Sequence, residues 1–125
     1  MKKQFNKSGK VILSFLALMY CTEVNCQILK DTTTVMLVKT GIEDIYRSKF
    51  GEAENILQVI EKKFPGHPAT DLYSAILTYY RYYPLIPSGP GFKNFELNIQ
   101  DCINKCEEDK NWMDDPEMVL INVSA

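Results

Sequence analysis

The sequence has few of the residue types that most catalytic sites use. It contains one histidine, His67, and four cysteines in 125 residues. His67 lies between Gly66 and Pro68, a setting typical of a turn between helices, so we expect it to cap a helix or to face solvent. No nucleophile has a candidate base placed beside it, and we therefore expect a protein that is not an enzyme.

Metal and cofactor motifs are also missing. Carboxylates are dense between residues 107 and 117, but they lack the alternating aspartates and the central glycine of a calcium loop. A helix end followed by a helix start explains them better. The glycine-rich stretch from Pro87 to Gly91 lacks the lysine of a phosphate-binding loop. The sequence predicts neither a metal nor a cofactor.

No apolar run reaches the roughly 20 residues that a membrane-spanning helix needs. An uncharged apolar run of ten residues from Val11 to Tyr20 follows a start that carries four lysines and no acid. This arrangement predicts a secretory signal peptide over residues 1–26, with cleavage between Cys26 and Gln27. A buried N-terminal helix is the competing interpretation.

Lipidation is an alternative outcome of export. Acylation of Cys21 or Cys26 would anchor the chain to a membrane. Tyr20 and Asn25 precede these cysteines, whereas lipoprotein signals usually place a small residue there. We expect an exported bacterial protein of the periplasm, cell envelope or medium, with no transmembrane segment in the mature chain and a lipid anchor as the alternative.

The charge balance argues against nucleic acid as a partner. The chain has 14 basic and 16 acidic residues, and removal of residues 1–26 takes away four lysines and Glu23. The remaining excess of acids is unsuited to phosphate backbones. Residues 27–125 are enough for one small domain.

Two cysteines, Cys102 and Cys106, remain in that domain. Export favours disulfides, but this spacing stacks the two side chains one helical turn apart, where a bridge would be strained. Buried free thiols and a disulfide, local or with another chain, both stay open. A metal site would need further ligands.

Apolar residues recur at helical spacing through most of residues 31–108, and strand signals are weak, so the fold class expected is all-α. Asp115, Pro116 and Glu117 together form a strong helix start. The prolines and glycines from Pro84 to Gly91 predict a loop.

Residues 34–65 carry a regular pattern of small, aromatic, large apolar and proline residues. These are Gly41, Phe50, Ala53, Leu57, Ile60 and Pro65. The pattern resembles the tetratricopeptide repeat, in which pairs of antiparallel helices stack. Asp44 departs from it, because the family has an aromatic residue at that place, and Ile45 or Tyr46 is expected to replace it.

The resemblance implies a short α-solenoid with repeats at 34–66 and 67–108 and the start of a further helix at 115–125. It also implies that first helices line a groove for another protein or peptide. The groove residues would be Val35, Val38, Ile42, Ile45 and Tyr46. We expect a non-catalytic interaction or scaffold module. The alternative is an N-terminal piece of a larger protein or lipoprotein whose activity lies in missing sequence.

The segment from Leu77 to Pro84 is unusually rich in tyrosine. On a helix, Asp71, Ser74, Thr78 and Arg81 form one narrow polar stripe, and apolar or aromatic residues occupy the rest. This predicts that most of the tyrosines are buried between helices. The alternative is a groove in which one or two tyrosines, with Arg81, hold a ligand.

Overall fold

The computed structural model describes residues 27–125, and within them every regular element is helical. The all-α prediction is confirmed. Two expectations fall on residues outside this range. They are the signal peptide over residues 1–26, which includes Cys26 at its cleavage site, and the acylation of Cys21 or Cys26. Within the described range, no helix is both long enough and apolar enough to cross a bilayer.

Five α-helices follow one another along the chain. They are α1 (Thr32–Tyr46), α2 (Phe50–Lys63), α3 (Pro68–Arg81), α4 (Phe92–Glu108) and α5 (Pro116–Ser124). Short 3₁₀ turns at Ile28–Lys30 and Trp112–Asp114 precede α1 and α5. The first helix ends at a turn in which Ser48 has a φ of 60°.

Local sequence explains the starts of α3 and α5. His67 precedes Pro68 and its Nδ1 accepts a hydrogen bond from the N–H of Ala69 at 3.2 Å. Asp115 precedes Pro116 and accepts from the N–H of Glu117 at 2.9 Å. Proline at the first helical position sacrifices no hydrogen bond there. The capping role expected for His67 and the helix start expected at Asp115 are therefore confirmed.

The connection between α2 and α3 is short because the chain turns sharply after Phe64. Gly66 has a φ of 74°, a left-handed conformation that side-chain-bearing residues rarely adopt. This turn lets α3 return along α2. Asp31, just before α1, also holds the end of α2, because its carboxylate contacts the ammonium of Lys63.

Neighbours in sequence are neighbours in space: α1 packs on α2, α2 on α3, α3 most extensively on α4, and α4 on α5. Three small apolar clusters hold the helices together. They centre on Ile45, Ala53, Tyr73 and Leu77; on Ile28, Ile60 and Phe64; and on Cys102, Cys106 and Ile121.

Two residues of the polar stripe of α3, Asp71 and Ser74, face α4. The Lys105 ammonium lies 2.7 Å from an Asp71 carboxylate oxygen, and the Asn98 amide donates to the Ser74 hydroxyl at 3.1 Å. These partly buried pairs fix how α3 and α4 align. Most of the tyrosines that follow lie at the surface, although the ring of Tyr79 also lies against Phe95 of α4.

The prediction that most tyrosines of this segment are buried is therefore wrong. Tyr73 is buried, but Tyr79, Tyr80, Tyr82 and Tyr83 are between 36% and 69% exposed. The ring of Tyr79 instead contacts those of Tyr80 and Tyr83 edge to face, with centroids 5.3 Å and 5.8 Å away. Arg81 is not free for a ligand, because it pairs with Glu54 at 2.9 Å.

Candidate functional site

An apolar pocket of about 300 Å³ lies where the three core clusters meet. The helices leave it open because α5 approaches α3 near Ala69 and Leu72, at a distance from α1. Voids of this size are uncommon in close-packed interiors. The pocket is therefore the candidate binding site among the described residues.

Two walls come from the first helix pair. Val35, Val38 and Ile42 of α1 face the pocket, as do Leu57 and Ile60 of α2. These positions share one face of each helix because they recur at three- and four-residue spacing. The wall is aliphatic throughout.

The third wall is α3. Leu72, Tyr73 and Ile76 supply one face, and Ala69 and Thr70 lie near the start of that helix. Ala69 leaves room because its side chain is a single methyl group. The buried hydroxyl of Thr70 is already occupied, since it donates to the carbonyl of His67 at 2.7 Å.

The mouth of the pocket is formed by the N-terminal turn and α5. Leu29 and Leu120 line it and are 55% and 56% exposed. Val35 on α1 is 37% exposed at the same opening. Met36 and Val123, at 66% and 77%, are further exposed apolar side chains on α1 and α5. We call the exposed residues that line the pocket, Leu29, Val35 and Leu120, the apolar rim.

A buried carboxylate, Glu117, holds the N-terminal turn against α5. Its two oxygens accept hydrogen bonds from the N–H groups of Ile28 at 2.9 Å and Leu29 at 3.2 Å. Gln27 adds a bond from its side-chain amide to Asp115 at 3.0 Å. Burial raises the pKa of Glu117, and the two N–H groups offset part of that rise. Removing this carboxylate would free the turn that closes one side of the pocket.

His67 lies next to Glu117 and is itself buried. Its Nδ1 is an acceptor, so the neutral ring carries its proton on Nε2, which lies 3.5 Å from a Glu117 oxygen. At this distance the contact is too long for a good hydrogen bond, and Nε2 has no hydrogen-bond partner. Burial lowers the pKa of His67, and the charges of Asp115 and Asp71 act against that shift.

The residues expected to line a groove are only partly brought together. Val35, Val38 and Ile42 line the pocket. Ile45 is 1% exposed in the core, and Tyr46 is 67% exposed, with its ring against Tyr80 on the outer face. Val35, Val38 and Ile42 therefore line the pocket as expected for the groove, whereas Ile45 and Tyr46 do not.

The residues considered for repeat packing occupy several environments. Gly41, Ala53 and Ile60 are buried, Phe50 and Leu57 are half-buried, and Pro65 is exposed. Leu57 and Ile60 also line the pocket. Pro65 follows the last residue of α2 by two positions, where it ends the helix without contributing to the core.

Sequence reasoning missed Glu117, Leu120 and Leu29. Glu117 was interpreted as an acid that favours a helix start, which is also true of it. The one available signal was that α5 is apolar on every side except for this glutamate and Asn122. A lone acid in such a helix is a candidate for a buried acceptor.

Cys102 and Cys106 are both buried and free. Burial raises the pKa of the Cys102 thiol to about 12, and the neighbouring Cys106 adds to the rise. Within residues 27–125 no group of three or more histidine, cysteine or acidic side chains could hold a metal ion. These thiols contribute to the core between α3, α4 and α5.

These features define the class as a small helical domain with an apolar pocket and a buried His–Glu pair at its edge. Comparison with known proteins found no significant match to a family model, a characterised protein or a solved structure.

Proposed function

We propose that the chain is a non-catalytic module, exported to the bacterial cell envelope, that binds another protein or peptide through the apolar rim. The observation that carries this proposal is the cluster of exposed aliphatic side chains around an open pocket. Exposed apolar patches on small proteins mark interaction sites. An amphipathic helix is the partner element that such a groove fits, with side chains at three- and four-residue spacing entering it.

The arrangement of α1 with α2 and of α3 with α4 supports the tetratricopeptide-like part of the proposal. Each pair is joined by a short or medium connection, and consecutive helices pack on one another. Stacked helix pairs of this kind present concave surfaces to their ligands. In this proposal the pocket takes the role of that surface.

Affinity capture from an envelope extract, with quantitative mass spectrometry, tests the proposal. We expect Leu120→Asp to abolish recovery of the specific partner, because a carboxylate would be placed at the centre of the rim. Leu97→Asp is the matched control, since Leu97 is 50% exposed on α4, away from the pocket. Equal recovery by both variants, or no specific partner at any salt concentration, would refute the proposal.

A second proposal is that the helices form the N-terminal piece of a larger protein or lipoprotein. It is favoured by α5, on which Leu120 and Val123 are exposed although the helix is apolar on most sides. Further helices would cover these residues. A reading frame that continues beyond Ala125 in genomic DNA would support this second proposal, and a stop codon there would contradict it.

A further inference from the structure

The size of the pocket sets the size of a small ligand. An apolar cavity of about 150 Å³ in a helical protein accepts benzene, which has six carbons. The pocket between α1, α3 and α5 has about 300 Å³. By this comparison it has room for about ten to twelve carbon atoms. That is the lower end of the range of volumes typical of small-molecule sites.

The lining restricts the ligand to an aliphatic body. Valine, isoleucine and leucine side chains provide most of the surface, and the only aromatic ring is that of Tyr73. The Tyr73 hydroxyl cannot serve a ligand, because it donates to the carbonyl of Ala53 at 3.0 Å. Any polar group of the ligand must therefore be near the mouth.

The charge at the edge restricts the polar end. Glu117 is the one ionisable side chain besides Tyr73 that lines the pocket, and no lysine or arginine does. A ligand carboxylate or phosphate would be placed beside a buried carboxylate without a cation to offset it, which is unfavourable. An anionic end group is thereby disfavoured.

Glu117 has hydrogen-bonding capacity left at this edge. A carboxylate has about four acceptor sites, and the N–H groups of Ile28 and Leu29 occupy one on each oxygen of Glu117. The Nε2–H of the neighbouring His67 also has no acceptor, but His67 does not line the pocket. A ligand hydroxyl group can donate to a free acceptor site of Glu117.

We propose that the pocket is a binding site for an aliphatic chain of about ten to twelve carbons whose polar end is an uncharged hydroxyl group that donates to Glu117. The ligand class is thus a neutral single-chain amphiphile. This inference does not require that a protein partner binds the rim, although such a ligand would fill the space below it.

Competition against naphthalene, a neutral fluorescent probe small enough for this volume, bound to the full chain tests this directly. The competitors are 1-alkanols of increasing length and the sodium alkanoates of the same lengths, at a pH at which the alkanoates are ionised. We expect the affinity for alkanols to rise about fourfold per carbon, as burial of a methylene predicts, and to level off at about ten to twelve carbons. Alkanols should bind at least about tenfold more tightly than alkanoates of equal length.

Two variants separate the pocket from non-specific binding. Ala69→Leu adds three carbons to the lining, so the length at which affinity levels off should shorten by about three carbons. Val59→Leu is the control, because Val59 is 51% exposed on α2 and does not line the pocket. Glu117→Gln removes the negative charge, so the ratio of alkanol affinity to alkanoate affinity at equal length should decrease.

Several outcomes would overturn the inference. An affinity that rises without limit with chain length would indicate partition onto the surface. Equal or tighter binding of alkanoates would contradict the role of Glu117, and an unchanged length limit in Ala69→Leu would place the ligand elsewhere. Absence of saturable binding would overturn the small-ligand site alone, because capture of a protein partner by the rim is measured separately. If Glu117→Gln does not fold, the length limit of Ala69→Leu still decides the question.

Discussion

The hydroxyl of Tyr73 on α3 lies directly over Gly41 on α1. A Cβ atom added at Gly41 would be 2.0 Å from this oxygen and 2.8 Å from the ring carbon that carries it. The same hydroxyl donates to the carbonyl of Ala53 on α2 at 3.0 Å. One side chain therefore connects α1, α2 and α3, and it can do so because residue 41 has no side chain.

We expect Gly41→Ala to destabilise the fold, although alanine is the better helix former. Overpacking of a core typically costs about 1–3 kcal/mol, which exceeds the gain of about 1 kcal/mol in helix propensity. Urea unfolding followed by circular dichroism measures the difference. Gly51→Ala is the matched control, because Gly51 is inside α2 with nothing within 4 Å of an added Cβ. That variant should be more stable, and a loss of stability in the control as large as at Gly41 would contradict the steric explanation.

Tyr73→Phe should destabilise the fold by about 0.5–1.5 kcal/mol, because the hydrogen bond from its hydroxyl to the carbonyl of Ala53 is lost. The double variant Gly41→Ala, Tyr73→Phe should lose less unfolding free energy than the two single variants lose together. The reason is that the closest clash disappears with the hydroxyl. A double-mutant cycle of unfolding free energies tests this. Strict additivity would show that residues 41 and 73 are not coupled.

Local sequence signals placed the helices well. Asp115 with Pro116 marked the start of α5, and the turn through Gly66 marked the end of α2. These signals act within a few residues, because a cap or a left-handed glycine is decided by its own neighbours. They are therefore visible in the sequence.

The orientation of α3 could not be obtained in this way. On its polar stripe, Asp71 and Ser74 pair with residues of α4 that are 34 and 24 positions away. Such partners depend on how two helices align in space. The exposure of the tyrosines follows from that alignment.

The pocket depends on even longer-range geometry. Glu117 meets Ile28 across 89 positions of sequence, and neither residue carries a local signal for the other. One wall of the candidate site was foreseeable, namely Val35, Val38 and Ile42, because helical periodicity groups them on one face. The part contributed by α5 and the N-terminal turn was not.

The stability of the fold should depend on pH through His67. Burial lowers the pKa of His67 below its ordinary 6.5, so the unfolded chain binds more protons than the native state in the window just below pH 6.5. This contribution is present above pH 6.5 and is lost as the pH falls through that window. His67→Asn keeps a good helix cap and removes the titration. Urea unfolding at a series of pH values measures the free energy of unfolding. On acidification this free energy should fall less in the variant than in wild type.

Glu117 should act in the opposite direction. Burial raises its pKa above the ordinary 4.5, so the native state binds more protons than the unfolded chain in the window above pH 4.5. Its contribution is present below pH 4.5 and is lost as the pH rises through the folded-state pKa. Through this group, the free energy of unfolding of wild type should increase as the pH falls. In Glu117→Gln this increase should be absent. If the pH profiles of wild type and variant were parallel from about pH 4 to about pH 7, the shift assigned to Glu117 would be wrong.

Cys102 and Cys106 should be inert towards alkylating reagents while the chain is folded. The reactive species is the thiolate, and burial raises the pKa of Cys102 to about 12 and that of Cys106 as well. Iodoacetamide treatment followed by peptide mass mapping should leave both unmodified in buffer and modify both in urea. The labelling rate should follow the unfolding transition, because opening of the helices exposes the two thiols together. Rapid modification of either cysteine without denaturant would show that α3 and α5 do not cover them as described.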